Sequence, residues 1–224
     1  MAVDTNAAGF AAPNGDRPTH LGRGGLICLL LLLQAPLCHA GIDHLVPYDD
    51  SGIWSRTNQE IIEYGLPILM GGAALWEGGE SRFGRTMWQS TDAFVASGVI
   101  SIAMKYAFSR VRPRDSGPGG NPDLWFKGQP NQSFPSGEVT SVTSIVTPVM
   151  LEYGKDQPAV YALALLPIYD GIARVKVQAH WQTDVLAGAA LGAGAGWLMH
   201  RNPGTPYILS VMPHGIYIGL SKSW

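Results

Sequence analysis

The chain has 224 residues, with 15 Lys and Arg against 17 Asp and Glu, so its formal net charge is −2. This length suffices for one domain with a substantial core. The near-neutral charge excludes a global basic field of the kind that attracts nucleic acid. Both cysteines, Cys28 and Cys38, fall in an N-terminal apolar segment. If that segment is cleaved, the mature protein has neither a thiol nor a disulfide.

The N-terminal segment resembles an export signal. Residues 1–25 contain many Gly, Asn and Pro residues and predict no regular structure. Residues 26–33 form a short apolar run, preceded by Arg17 and Arg23 and followed by small residues up to Ala40. This pattern predicts a secretory signal peptide that is cleaved near Ala40, which places the protein in the periplasm or outside the cell. The alternative is an uncleaved segment that anchors the protein to a membrane.

The remaining chain, residues 41–224, predicts a mostly helical domain. Helical patterns cover 58–76, 83–110, 139–152, 157–173 and 184–200. We expect a bend at Pro67 and an interruption near Pro148. Residues 207–224 alternate around Pro213, which predicts a short C-terminal β-hairpin. The last helix carries small residues that allow close helix packing, in a membrane or in a tight bundle: Gly188, Gly192, Gly194 and Gly196.

Three separate segments carry residues that suit phosphate chemistry. In the first, Lys105 and Arg112 are seven residues apart, so a helix would place both cations on one side. Pro113 would then end that helix. In the second, Ser136 and Gly137 precede an apolar run. A Ser-Gly pair that opens a helix presents free backbone N–H groups to an anion.

The third segment contains Arg174, His180 and Asp184. Asp184 follows His180 by four residues, so on a helix both side chains would share a face. A carboxylate in that position can hydrogen-bond one imidazole nitrogen and leave the other free to attack an electrophile. The planar guanidinium of Arg174 fits phosphate oxygens, and Asp170, four residues earlier, could orient it.

Together the order is Lys-x6-Arg-Pro, then Pro-Ser-Gly, then Arg-x5-His-x3-Asp. Over residues 60–200 this resembles the type-2 phosphatidic acid phosphatase and vanadium haloperoxidase superfamily. The resemblance implies a single all-α helical bundle of the acid phosphatase type. It implies that His180 is the nucleophile that forms a phosphohistidine and that Asp184 orients it. No metal or other cofactor is implied for the phosphatases, whereas the haloperoxidases hold vanadate in the same site. The residues that would bind the phosphate are Lys105, Arg112, Ser136, Gly137 and Arg174.

Glu138 departs from the pattern of this family, in which a histidine usually follows Pro-Ser-Gly and protonates the leaving group. A glutamate can be the catalytic acid only if its pKa is raised towards the working pH, and nearby cations favour the carboxylate instead. Three explanations remain open. Burial keeps Glu138 protonated, or the leaving group is itself a phosphate that needs little protonation, or the enzyme is slow or works in acid.

The function expected from these residues is metal-independent hydrolysis of a phosphate ester or anhydride. A phosphorylated lipid or an isoprenoid diphosphate is the first choice of substrate, and contact with a membrane surface would follow. The alternatives are a soluble acid phosphomonoesterase, a vanadate-dependent haloperoxidase and a phosphate-binding protein without turnover. We expect no nucleic-acid partner, and the sequence leaves the oligomeric state open.

Overall fold

A computed structural model describes residues 41–202, 209–212 and 215–218. The predicted signal peptide lies outside these residues, so it and the division at residue 40 stay predictions. The described part is a helical bundle, as the sequence predicted. Its α-helices are α1 (Arg56–Glu77), α2 (Arg82–Phe108), α3 (Gly137–Tyr153), α4 (Leu165–Lys176) and α5 (Gln182–Arg201).

The prolines do not interrupt the helices. Pro67 lies inside α1 and Pro148 inside α3, so the interruption predicted near Pro148 is wrong. A proline keeps a helical φ and removes only its own backbone donor, which tertiary packing can offset. Pro148 is buried, and it packs against α5 where that helix carries Gly196.

Helix α2 ends earlier than the sequence predicts. Its last residue is Phe108, and Ser109 follows in the left-handed conformation with φ 39°. The Ser109 N–H donates to the carbonyl of Lys105 and completes the last turn. Arg110 and Arg112 therefore lie in the loop after the helix, and Lys105 and Arg112 do not share one helical face.

The core lies between α1, α2 and α3, where Met70, Ala74, Met87, Trp88 and Ile145 are buried together. Helices α3 and α5 pack closely at the glycines of α5. A Cβ atom added at Gly192 would lie 2.4 Å from the carbonyl oxygen of Thr140, and one at Gly196 would lie 2.6 Å from Cβ of Thr147. The predicted role of the small residues in helix packing is thereby confirmed for these two positions.

The predicted C-terminal hairpin is also present. Strands β1 (Leu209–Met212) and β2 (Gly215–Ile218) pair antiparallel, with Met212 opposite Gly215.

Much of the helical surface is apolar and exposed. Two stretches, Arg82–Asp115 and Pro158–Lys176, are long and apolar enough to cross a membrane, yet only 28% and 22% of their apolar windows are buried in the protein. Helix α1 adds exposed side chains such as Leu69 and Trp76, which are 72% and 90% exposed. Large exposed apolar patches commonly mark an interaction surface, with a membrane or with another protein.

Candidate active site

The three sequence segments meet at one cleft of about 240 Å³. The cleft is lined by Glu63, Lys105, Arg112, Gly137, Glu138, Ser141 and His180. A neighbouring cleft is also lined by Arg112 and Glu138, and adds Arg56, Arg114 and Arg174. Four of the five predicted phosphate-binding residues therefore line these two clefts, although they come from α2, the loop after it, the start of α3 and the last turn of α4.

The imidazole of His180 is buried, with 3% of the residue exposed, and its Nδ1 lies 2.7 Å from the carbonyl oxygen of Ser133. Because a carbonyl oxygen can only accept, Nδ1 carries the proton and Nε2 keeps its lone pair. Burial lowers the pKa of His180 to about 3, only partly opposed by Asp184. The ring is therefore neutral at ordinary pH and suited to nucleophilic attack through Nε2.

Asp184 does not hold His180 in the way that the sequence predicted. Helix α5 begins at Gln182 with Trp181 as its N-cap, so His180 precedes the helix and does not share a helical face with Asp184. The carboxylate lies 3.9 Å from His180 Nδ1, beyond hydrogen-bond distance. Its Oδ2 instead accepts from the Ser133 hydroxyl at 2.6 Å and from the Trp181 N–H at 2.8 Å. Ser133 thus connects the two residues, because its hydroxyl donates to Asp184 and its carbonyl oxygen contacts His180 Nδ1.

Arg110 is the buried cation that balances Asp184. Its guanidinium donates to Asp184 Oδ1 at 2.6 Å and to Asp43 Oδ2 at 2.6 Å, and the side chain is 1% exposed. It also lies 4.2 Å from the ring centre of Trp125. Asp43 in turn accepts from the N–H and the hydroxyl of Thr183. This network connects the chain just after the predicted cleavage site to the segment that bears His180.

The start of α3 carries a buried donor, the Ser136 hydroxyl, next to Gly137 of the cleft. Ser136 is the N-cap, as the sequence predicted for a helix opening at Ser-Gly, and its hydroxyl caps no backbone N–H. The Ser136 hydroxyl is buried and has no hydrogen-bond partner among the described residues. A Cβ at Gly137 would lie 3.4 Å from Cε of Lys105, so the lysine runs close over this turn. The first N–H groups of a helix lack intrahelical acceptors and favour an anion.

Arg174 is held by other partners than the expected Asp170. One guanidinium nitrogen, Nη1, donates to Gln59 Oε1 at 2.9 Å and lies 3.0 Å from Glu138 Oε2. Its Nε is buried and, within the described part of the chain, makes no hydrogen bond. Asp170 Oδ2 is likewise without a hydrogen-bond partner there. The Arg174 Nε and the Ser136 hydroxyl are both donors, and each can donate to a phosphate oxygen.

Lys105 donates to the carbonyl oxygens of Gln132 and Pro135, at 2.9 and 2.7 Å. An ammonium has three donors, so one remains for a ligand in the cleft. Arg112 borders the same cleft from the loop after α2. The two cations therefore reach one cleft by loop geometry and not by helical periodicity.

Glu138 forms ion pairs with two arginines. Arg56 Nη1 lies 3.2 Å from Oε1, and Arg174 Nη1 lies 3.0 Å from Oε2. Arg56 belongs to α1, outside the three sequence segments. Both carboxylate oxygens of Glu138 are thus paired with guanidinium groups.

The sequence did not identify several residues of this site: Asp43, Arg56, Gln59, Glu63 and Ser133. They belong to no motif, and only the fold brings them next to it. Arg110 lies between Lys105 and Arg112 in the sequence, but the sequence did not predict its ion pairs with Asp43 and Asp184. In the part of the chain that the structure describes, no group of three or more His, Cys, Asp or Glu side chains is arranged to hold a metal ion.

Comparison with known proteins identifies the family of this chain. A model of the PAP2 superfamily matches residues 88–206, which is more than half of the chain and includes all three segments. The chain therefore belongs to the PAP2 superfamily, and the resemblance found in the sequence is confirmed.

Individual relatives are more distant. A lipid A 1-phosphatase of Porphyromonas gingivalis is 30% identical over 125 residues, which are 55% of this chain but 25% of that protein. The match thus spans about a quarter of the length of that relative. Two solved structures are similar. A transmembrane PAP2-type phosphatidylglycerolphosphate phosphatase from Bacillus subtilis has 18% sequence identity and a TM-score of 0.46, and the match covers 79% of this chain and 94% of that one. Aquifex aeolicus LpxE has 19% identity and a TM-score of 0.44, and the match covers 77% of this chain and 94% of that one.

Proposed function

We propose that this protein is a metal-independent phosphatase that works through a phosphohistidine at His180. The observation that carries the proposal is the neutral, buried imidazole, whose Nδ1 proton is held by Ser133 in a cleft with Lys105 and Arg112. A neutral ring with a free Nε2 is a nucleophile, and clustered cations stabilise the charge on a transferring phosphoryl group.

The reaction takes two steps. Nε2 of His180 attacks phosphorus and the bond to the leaving oxygen breaks; water then attacks phosphorus and breaks the P–N bond. Lys105, Arg112, Arg174 and the first turn of α3 stabilise the equatorial oxygens, as expected for phosphoryl transfer. Asp184 acts as a positioning residue through Ser133. We propose that no metal takes part, because these groups already supply the positive charge.

The substrate class that we propose is a phosphorylated lipid or an isoprenoid diphosphate. The relative named lipid A 1-phosphatase supports a lipid substrate. The exposed apolar faces support it as well, because a lipid phosphate reaches its enzyme at a membrane. An isoprenoid diphosphate would also ease the chemistry, since a phosphate leaving group needs little protonation.

We further propose that the protein is embedded in a membrane, which the sequence had offered only as the alternative to a periplasmic location. The support is that α2 and the Pro158–Lys176 stretch have the length of a membrane span and expose most of their apolar surface. In a soluble bundle such helices would turn that surface to the core. Export by a signal peptide stays a prediction.

A substrate panel tests the function directly. The purified protein in detergent micelles is assayed for phosphate release from a lipid monophosphate, an isoprenoid diphosphate and a soluble phosphomonoester, each with and without a chelator. We expect release that is fastest on the first two and unchanged by the chelator. Phosphate binding without release would instead indicate a binding protein. Bromide oxidation after added vanadate would indicate a haloperoxidase, whereas inhibition by vanadate supports a phosphatase.

A further inference from the structure

Arg56 on α1 gathers three glutamates around one guanidinium. Nε lies 3.1 Å from Glu60 Oε1, Nη2 lies 2.7 Å from Glu63 Oε2, and Nη1 lies 3.2 Å from Glu138 Oε1. The three carboxylates differ in their surroundings. The side chain of Glu60 is 46% exposed, whereas those of Glu63 and Glu138 are only 22% and 15% exposed.

Cations and carboxylates both surround Glu63. Arg174 contacts Glu138, and Lys105 and Arg112 line the cleft that Glu63 and Glu138 share. Burial and a neighbouring like charge disfavour a charged carboxylate, whereas nearby cations favour it. At Glu63, burial and the charge of Glu138 raise the pKa, while Arg56 and Arg174 oppose the rise.

Glu63 lies where a proton on its carboxyl group can reach a substrate in the cleft. Glu63 lines the same cleft as His180, Lys105 and Arg112. Arg56 contacts its Oε2, and among the described residues no hydrogen bond reaches its Oε1, which is therefore the oxygen that can hold a proton.

We propose that Glu63 is the acid that protonates the leaving group, in the role that PAP2 proteins usually give to the histidine after Pro-Ser-Gly. The inference rests on the proposed phosphatase function. Glu138, at that histidine's position, is a positioning residue: it holds Arg56 and Arg174 in place and is itself paired on both oxygens.

Glu63 gives up one proton in the first step and regains one in the second. As His180 Nε2 bonds to phosphorus, the leaving oxygen departs with the bonding electron pair and takes the proton from Glu63 Oε1. The resulting carboxylate then accepts a proton from the water that attacks phosphorus, while the P–N bond breaks. His180 returns to its neutral form, inorganic phosphate is released and Glu63 is protonated again.

The test is a leaving-group series with a matched control. Both Glu63 and Glu60 contact Arg56, but only Glu63 lines the cleft, so Glu63→Gln is compared with Glu60→Gln. The kcat/KM value is measured for nitrophenyl, phenyl and alkyl phosphates, because it reports the step in which the leaving group departs. For Glu63→Gln we expect a loss of about 100-fold or more on alkyl phosphates and little change on nitrophenyl phosphate. Glu60→Gln should follow the wild type throughout.

Glu138→Gln completes the comparison, since a positioning residue should lower the rate on all three substrates to the same extent. Equal losses for Glu63→Gln across the series, or no loss, would overturn the role of Glu63 while the wild type remains an active phosphatase. A wild-type protein that releases no phosphate from any substrate would instead defeat the proposed function. Thermal unfolding of each variant in detergent confirms that the proteins compared are folded.

Discussion

Arg110 and Asp184 form a buried ion pair, with 2.6 Å between Nη1 and Oδ1 and with side chains that are 1% and 0% exposed. Asp43 shares the same guanidinium at 2.6 Å. The pair fixes the carboxylate that holds the hydroxyl of Ser133, and the carbonyl of Ser133 in turn orients His180. The proposed nucleophile, His180, is therefore positioned through a chain of contacts that begins with a loop arginine.

Arg110→Met should destabilise the fold, because it leaves Asp43 and Asp184 buried without their cation. Removing one partner of a buried pair costs about 3–5 kcal/mol. Chemical or thermal unfolding in detergent measures the loss. Adding Asp43→Asn to Arg110→Met should recover part of it, since one unpaired charge is removed. If Arg110→Met unfolds like the wild type, this network does not hold the site.

Lowering the pH should decrease the free energy of unfolding, because His180 is buried in its neutral form. Its pKa is lowered to about 3 in the folded protein, against an ordinary value of 6.5. Between these values the unfolded chain binds a proton that the folded protein does not, so stability falls as pH drops below 6.5. The slope is at most about 1.4 kcal/mol per pH unit for one group.

The measurement is the unfolding midpoint of wild type and His180→Gln between pH 4 and 7. The His180→Gln protein should lack this part of the pH dependence, because glutamine does not titrate. Identical pH profiles for the two proteins would show that His180 titrates as an ordinary, solvated histidine.

Two glycines of α5 should respond oppositely to alanine. At Gly192 the added Cβ would lie 2.4 Å from a backbone oxygen, so Gly192→Ala forces α3 and α5 apart at a cost of about 1–3 kcal/mol. At Gly194 nothing lies within 4 Å, so Gly194→Ala should stabilise the helix by about 0.5–1 kcal/mol. Unfolding midpoints compare the two. Equal shifts would contradict the close packing of these helices.

A charge on the exposed face of α2 should reduce membrane insertion. Val99 is 63% exposed within one of the candidate membrane spans. In a lipid-facing position, Val99→Arg costs about 2.5–3.5 kcal/mol, and less protein should remain in the membrane after alkaline carbonate extraction. Gln157→Arg, also exposed but outside both spans, is the matched control. An undiminished membrane fraction for Val99→Arg would place this face in water.

The sequence predicted the helical bundle, the opening of α3 at Ser136 and the packing of Gly192 and Gly196, because these depend on local patterns. It misplaced His180 and Arg112 on helices. Ser109 ends α2 in a left-handed conformation, and Trp181 begins α5 only after the histidine. Such caps depend on tertiary contacts, which single-sequence periodicity does not encode.

The electrostatic partners in the site were even less predictable. Arg56 reaches Glu138 across 82 residues, and Gln59 reaches Arg174 across 115. Neither Arg56 nor Gln59 has a local signal that separates it from a surface residue of an amphipathic helix. Glu138 could be identified as unusual only by the motif around it, and its two arginine partners could be identified only from the fold.

Covalent trapping shows whether His180 carries the phosphoryl group during turnover. A substrate labelled in its phosphoryl group is mixed with excess enzyme, quenched in base within the first turnover and digested for peptide mapping. We expect an acid-labile, base-stable label on His180 in the wild type, and no label and no turnover in His180→Ala. Label on another residue, or near-normal phosphate release by a folded His180→Ala protein, would contradict it.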